Sequence, residues 1–298
     1  MDTKEKNFSD VSSKYNKTEG RKEDTKIQGI RDFNNWIKSS LITLLCPHNA
    51  NVLDICGGRG GDLLKYCHKH INNYALFDNA DISIVEAKRR ISEMDNRMKP
   101  KHNIIKVADC FVDDIIKEIP DNLFFDFVSC QFAFHYACGN IEHIERLFKN
   151  VSERLKPGAL FVGTTVNADE LKKRLKENDN LEFGNDNYNI RFEDTNEEKT
   201  KFKKIGTKYY FSLIESVPDI PEYVVDFNTV NEIAKKYNLE LIYKKTFEEC
   251  KDTQFSFLKD KYLKNFDIVK KKYNRIKNIP KNQWEVCSLY LIFVYKKK

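Results

Sequence analysis

Three features of this sequence predict an α/β fold with a mostly parallel sheet covered by helices on both faces. Strand and helix signals alternate over residues 51–166, a glycine-rich turn follows the first strand, and acids close the next two. Seven strands are expected in the main sheet. An antiparallel insertion is expected between the fifth strand and the C-terminal strands.

The chain has 298 residues, enough to bury a core without disulfide or metal staples. Hydrophobic residues make up 41% and charged residues 32%, too apolar a balance for wholesale disorder. Lys and Arg number 51 against 45 Asp and Glu, a net charge of +6. That excess permits a polyanionic ligand without demanding one. There is no run of ~18 apolar residues and no apolar N-terminal region, so neither a membrane span nor a secretory signal is expected. The eight cysteines include no CxxC pair and read as reduced, mostly buried thiols. Cys67, His68 and His70 lie close in sequence, but nothing completes a four-ligand set, so no metal is expected.

Residues 1–28 are nearly all polar and read as a flexible arm. From Ile30 the spacing of Phe33, Trp36, Ile37, Leu41 and Leu44 predicts an amphipathic helix. NVLDI (51–55) is the first strand, and GDLLKYCHKH (61–70) continues as a helix. NYALFD (73–78) is the second strand, residues 82–95 are helical, and NIIKVAD (103–109) and FFDFVSC (124–130) are the third and fourth strands. Residues 141–156 carry apolar side chains every three or four positions, with Pro157-Gly158 as the expected helix stop. ALFVGTTV (159–166) is the fifth strand. Residues 169–208 are highly charged and end in short aromatic runs, which reads as the insertion. Then FNTVNEIAKKYN is a helix, LELIYKKTF a strand, 255–277 helical and SLYLIFVY (288–295) the last strand. The expected organisation is one domain over 29–298, with the insertion at about 167–226.

VLDICGGRGGD places Gly57, Gly58, Gly60 and Gly61 between a strand and a helix, where a ligand can approach backbone N–H groups. Asp78 ends the second strand 24 positions after Asp54, well placed to accept two ribose hydroxyls. Asp109, ending the third, suits an adenine edge. A dinucleotide and S-adenosylmethionine both satisfy that spacing. Asp62 stands where a pyrophosphate binder expects glycine, which favours a cationic cofactor.

At this point several segments together resemble one family, the mRNA cap guanine-N7 methyltransferases. IRDFNNWIKSSLI resembles its R-N-F-N-N-x-I-K segment and VLDICGGRGGDLLKY its V-L-D-L-G-C-G-K-G-G-D-L motif. CQFAFHYA resembles its Q-F-x-x-H-Y segment, VPDIPEYVV its V-P-E-[YF] stretch, and SLYLIFVYKK its C-terminal strand. The likeness runs in order over roughly 11–295. It implies a Rossmann-like class I methyltransferase fold, S-adenosyl-L-methionine as donor with S-adenosyl-L-homocysteine as product, and the 5′-capped end of mRNA (GpppN) as substrate. On the same basis Lys38, Asp78, Asp109, Gln131 and Tyr136 fall where the family contacts the donor, together with Asp54, Cys56, Gly58 and Cys110 at the loop ends. Asn34, Asn35, Arg59, Lys65, Arg90, His135, Glu222 and Tyr290 fall where it contacts the capped RNA.

Two positions depart from the family. Cys56 replaces its first loop glycine, at a cost of about 1–2 kcal/mol if the backbone there has positive φ. Arg59 replaces its lysine, keeping charge in a longer planar group.

Guanine N7 carries a lone pair and no proton, so the implied methyl transfer is an in-line displacement needing no general base. A catalytic His–Asp pair is therefore not expected. A carboxylate can accept from both guanine N1–H and the N2 amine, which suits Glu222, and His135 can donate to O6. Tyr136, Phe132, Phe134 and Tyr290 can frame the base and the sulfonium, and Arg59, Lys65 and Arg90 can meet the phosphates. Two alternatives stay open: another S-adenosylmethionine-dependent methyltransferase, and a cap-binding homologue weakened at Cys56. A monomer with no membrane association is expected, working with transcription or capping machinery in the nucleus, or in the cytoplasm if viral.

Overall fold

The computed structural model describes Lys14 and residues 25–193, 199–274, 276 and 278–298, without the side chains of 259–264. The rest of the arm expected over 1–28 lies outside the described residues. Lys14 Nζ donates to the Asp219 carbonyl at 3.0 Å and the Thr25 hydroxyl to Glu215 at 2.6 Å.

In chain order the elements begin with α1 (Gln28–Leu45), β1 (Asn51–Ile55), α2 (Leu63–Cys67), β2 (Asn73–Asp78), α3 (Asp81–Glu93) and β3 (His102–Val107). They continue with β4 (Phe125–Gln131), a 3-10 turn (Phe134–Gly139), α4 (Ile141–Ser152) and β5 (Leu155–Val166). Next come α5 (Ala168–Glu177), β6 (Glu182–Asn185), β7 (Tyr188–Phe192), β8 (Lys208–Leu213) and β9 (Val217–Tyr223). The last are α6 (Phe227–Lys236), β10 (Leu239–Thr246), α7 (Phe247–Thr253), α8 (Lys259–Tyr273), α9 (Lys281–Cys287) and β11 (Tyr290–Lys297).

Seven strands form one sheet in the order β10-β11-β5-β4-β1-β2-β3. From β3 to β5 the pairing is parallel, and β11 and β10 add antiparallel. The expected fold class is observed. The apolar runs of β1, β4 and β11 are buried almost throughout, as strands covered on both faces must be. The antiparallel strands between β5 and the C-terminal pair form a second sheet, β6-β7-β8-β9.

Apolar side chains recurring at helical spacing explain α1: Ile30, Phe33, Ile37, Leu41 and Leu44 are buried on one face. Phe33 meets Trp284 edge-on at 5.1 Å, and Trp36 Nε1 donates to the Val269 carbonyl at 3.1 Å. Losing a ring as buried as Phe33 costs about 3–5 kcal/mol. On the sheet's other face Phe134, Phe148, Phe161, Phe293 and Tyr295 interlock.

Several boundaries differ from the sequence reading. The helix over 61–70 shrinks to α2, flanked by turns. α4 ends at Ser152, and Pro157-Gly158 lies inside β5, where pairing shifts from Phe125↔Leu155 to Phe127↔Leu160. Proline is tolerated at such an irregularity because no ladder N–H is needed there. The charged stretch after Val166 opens with a helix, α5. Its apolar signal is only Leu171 and Leu175, but Asn167 caps it by accepting from the Asp169 N–H. α7 and α9 also went unread, each only seven residues long.

Candidate active site

The carboxyl ends of β1, β2, β3 and β4 open onto one cleft of about 570 Å3. β1 lies between β2 and β4, the point where the winding of such a sheet reverses and its surface parts. Cys56, Gly57 and Gly58 line the cleft after β1, Asp78 and Asn79 after β2, and Ala108, Asp109 and Cys110 after β3. Gln131 and Phe132 line it at the end of β4, with Tyr136 beyond, and Arg31 and Lys38 of α1 reach it as well. The volume suits a nucleoside-sized ligand.

The loop after β1 turns through left-handed backbone at Cys56 (φ 54°), Gly58 (φ 53°) and Gly60 (φ 68°). Gly58 donates its N–H to Asp78 Oδ2 at 2.9 Å, and a side chain there would point into open space. Asp78 Oδ1 accepts from the Ala80 N–H at 3.0 Å. Burial holds the Asp78 carboxyl above its ordinary value against those two N–H donors. Cys56 does occupy positive φ, so the strain foreseen for a side chain there is present. Its thiol clusters with Cys110 and Cys130.

Asp62 is not the bare acid that the sequence suggested. Lys65 Nζ lies 2.7 Å and Lys38 Nζ 3.0 Å from the same Oδ1. Burial works to raise this carboxyl, but the two ammonium groups outweigh it and hold the pKa below its ordinary value. The cluster therefore carries a net positive charge, and Lys65 is spent on it rather than lining the cleft. Asp54, on the floor, is pushed up to about 7 by burial and by the Asp62 charge, while the Tyr74 hydroxyl donates to it at 2.8 Å.

Gln131 donates Nε2 to Ser129 Oγ at 3.1 Å, which leaves its buried Oε1 without a partner at the cleft wall. A buried acceptor left open in a polar cleft marks a place for a ligand donor. The donor implied by the resemblance fits this lining: acids for ribose hydroxyls, an open amide oxygen for an ammonium, and Lys38 for a carboxylate.

A second group of residues gathers where β9 crosses the 3-10 turn. Gly139 makes the approach possible, since a Cβ there would sit 2.9 Å from the Tyr223 ring. Tyr209 and Glu222 are cross-strand partners, and the buried Tyr209 hydroxyl donates to Glu222 Oε2 at 2.6 Å. The Tyr136 hydroxyl donates to Oε1 at 3.3 Å. His135 Nε2 lies 3.3 Å from the same oxygen without aligned hydrogen-bond geometry, and its Nδ1 is 3.3 Å from Thr165 Oγ1. Phe132, at φ 57°, turns its ring edge to Tyr290 at 5.1 Å.

The structure thus brings Lys38, Asp54, Cys56, Gly58, Asp78, Asp109, Cys110, Gln131 and Tyr136 to one cleft, with Arg59 and Arg90 on its lining. Glu222, His135 and Tyr290 are buried beside it, while Asn34, Asn35 and Lys65 are not among its lining residues. Phe134 does not frame a ligand; it is fully buried and stacks on Phe227. Sequence reasoning missed Arg31, Asn79, Ser83, Phe111 and Ser216 on the cleft, and Tyr209 behind Glu222. Arg31 was readable, one helical face with Lys38.

The model of the mRNA (guanine-N(7))-methyltransferase domain matches residues 1–298. The chain is 34% identical to the mRNA cap guanine-N(7) methyltransferase 1 of Arabidopsis thaliana, over 96% of this chain and 80% of that one. It is 35% identical to the mRNA cap guanine-N(7) methyltransferase of Schizosaccharomyces pombe, over 90% of this chain and 75% of that one. Among solved structures it resembles an S-adenosylmethionine-dependent methyltransferase from Clostridium acetobutylicum, with a TM-score of 0.50 and 15% identity over 90% of this chain and 92% of that one.

Proposed function

The chain belongs to the mRNA (guanine-N7)-methyltransferase family, and we propose how its own residues perform that family's reaction. It is an S-adenosylmethionine-dependent enzyme that methylates N7 of the guanosine capping mRNA. When bound, S-adenosylmethionine supplies an electrophilic methyl group on a sulfonium.

Asp78, fixed by the Gly58 and Ala80 N–H groups, holds the ribose hydroxyls. Asp109 sits at the adenine end. Gln131 Oε1 accepts from the ammonium, and Lys38 meets the carboxylate from across Asp62. On the acceptor side Glu222 takes guanine's two Watson–Crick donors, exchanging Tyr136 for N1–H while Tyr209 keeps the other oxygen oriented. His135 donates to O6. Arg59 and Arg90, on the cleft lining, face the phosphate bridge. N7 has no proton to lose, so these groups align the two reactants and exclude water.

One observation carries this division of labour: Tyr136 lines the cleft and gives its hydroxyl to Glu222, so donor and acceptor regions share a wall. Labelled methyl transfer to RNA beginning GpppA tests it. Label is expected on the terminal guanine, dependent on its being guanine; no transfer at any protein concentration would refute the reading.

A further inference from the structure

A second cavity, of about 350 Å3, is lined by chain neighbours of the Glu222 region. Ser216, before Glu222 in the chain, reaches the first cleft; Val224 and Val225, just after it, line the second. Leu291, next to Tyr290, and Asn167, next to its strand partner Val166, line the second as well. Chain neighbours of the guanine region thus line two hollows, and only the first is used by the mechanism above.

The second hollow carries Lys172 on α5, Lys203 and Lys204 between β7 and β8, and Lys244 on β10. All four are exposed, and none pairs with a carboxylate among the described residues. Asp169 and Asp226 also line it, which leaves two ammonium groups in excess. α5 and α6 both start here, but their first turns are served by Asn167 and Asp226 side chains, which accept from the Asp169 and Asn228 N–H groups. The attraction for an anion therefore rests on the lysines. Lys172 Nζ stands 6.0 Å from the Phe202 ring centre, and Lys244 Nζ 5.2 Å from that of Phe227. The rings are already packed, Phe227 on Phe134 and Phe202 on Phe192, so they anchor the lysines, and what the hollow offers a single-stranded nucleic acid is cations for its phosphates.

We propose that this cavity is a subsite for the phosphodiester backbone of the transcript next to the cap. The inference rests on the cap reading, which places guanine at Glu222. The RNA leaves past Val224 and lays its phosphates among Lys172, Lys203, Lys204 and Lys244. The short cap dinucleotide does not reach them.

The test compares wild type with K172Q/K203Q/K204Q/K244Q on two substrates, GpppA alone and a capped RNA of about ten nucleotides, over a range of salt. Each lost phosphate contact lowers the slope of log KM against log salt by about 0.7. The variant is expected to show an RNA KM about tenfold higher at physiological salt, a slope smaller by about 3, and an unchanged KM for GpppA. Unchanged thermal midpoint and S-adenosylhomocysteine affinity accompany this result. An RNA KM and slope equal to wild type overturn the subsite, as does an equal rise in KM for GpppA. A hollow that holds free inorganic phosphate predicts phosphate binding lost in the variant with RNA kinetics unchanged, which also overturns it. Failure of the wild type to methylate GpppA would instead overturn the cap reading beneath it.

Discussion

Replacing Glu222 with Gln separates guanine recognition from the integrity of the fold. Alanine would not, because the Tyr209 hydroxyl is fully buried and would lose its acceptor at a cost of about 1–3 kcal/mol. Glutamine keeps an oxygen opposite Tyr209. What it loses is the second acceptor, since the carboxamide nitrogen now faces a guanine donor with a donor of its own. One charge-assisted hydrogen bond disappears, about 1.5–3 kcal/mol. At ~1.4 kcal/mol per tenfold, that lowers kcat/KM for GpppA by about 10- to 150-fold. Steady-state methylation of GpppA gives that ratio. Calorimetry with S-adenosylhomocysteine should show unchanged affinity, because Glu222 does not line the donor cleft. Wild-type kcat/KM in E222Q would refute the carboxylate's role. A parallel loss of S-adenosylhomocysteine affinity would show that Glu222 acts through the fold instead.

Two further outcomes are expected. Asp78→Ala strips the Gly58 and Ala80 N–H groups of their acceptor along with the ribose partner, so S-adenosylhomocysteine affinity should fall by about tenfold or more; calorimetric affinity equal to wild type would contradict the assignment. Asp54 has its pKa raised from 3.8 to about 7, so the folded chain holds this proton more tightly than the unfolded one. The stability it contributes is complete below the ordinary carboxylate range and is lost as pH rises through about 7. Asp54→Asn, which still offers Tyr74 an acceptor, should remove that part of the pH dependence; parallel denaturation profiles for the two proteins from acid to neutral pH would count against it.

Most of the sheet was legible because each strand is a short apolar run ended by polar turn residues, and period and length together identify such runs. The loop glycines and the acids Asp78 and Asp109 were legible for the same reason, since their place at strand ends follows from the strands. Charge pairing was not legible. Asp62 looked like an isolated acid because Lys38, on α1, meets it only through tertiary packing. Tyr209 was hidden because its link to Glu222 depends on the β8–β9 register, which shifts between Phe211 and Leu213. α5 was obscured by a surface so charged that only two buried leucines mark its inner face. Phe132 and Phe134 were indistinguishable by composition. The positive φ at Phe132 sends the two rings to different fates, one to the cleft and one to the core.

His135 and Glu222 form a buried histidine–carboxylate contact that sequence reading did not anticipate as a pair. In a hydrolase such a pair would suggest proton abstraction. Here the geometry argues for positioning. His135 Nε2 sits 3.3 Å from Glu222 Oε1 without aligned hydrogen-bond geometry, its other nitrogen is at Thr165, and both place the ring as a fixed neighbour of the carboxylate. Glu222 is already occupied by two tyrosine hydroxyls, which orient it as an acceptor. Guanine N7 offers no proton for the pair to take. The backbone points the same way. Cys56 and Phe132, at the ends of the adjacent strands β1 and β4, both hold left-handed conformations, each costing about 1–2 kcal/mol. Strain persists where the surrounding structure overrides it, and these two of the positive-φ residues both line the donor cleft. An enzyme whose contribution is alignment depends on such fixed backbone there, because small displacements of a bound reactant cost rate.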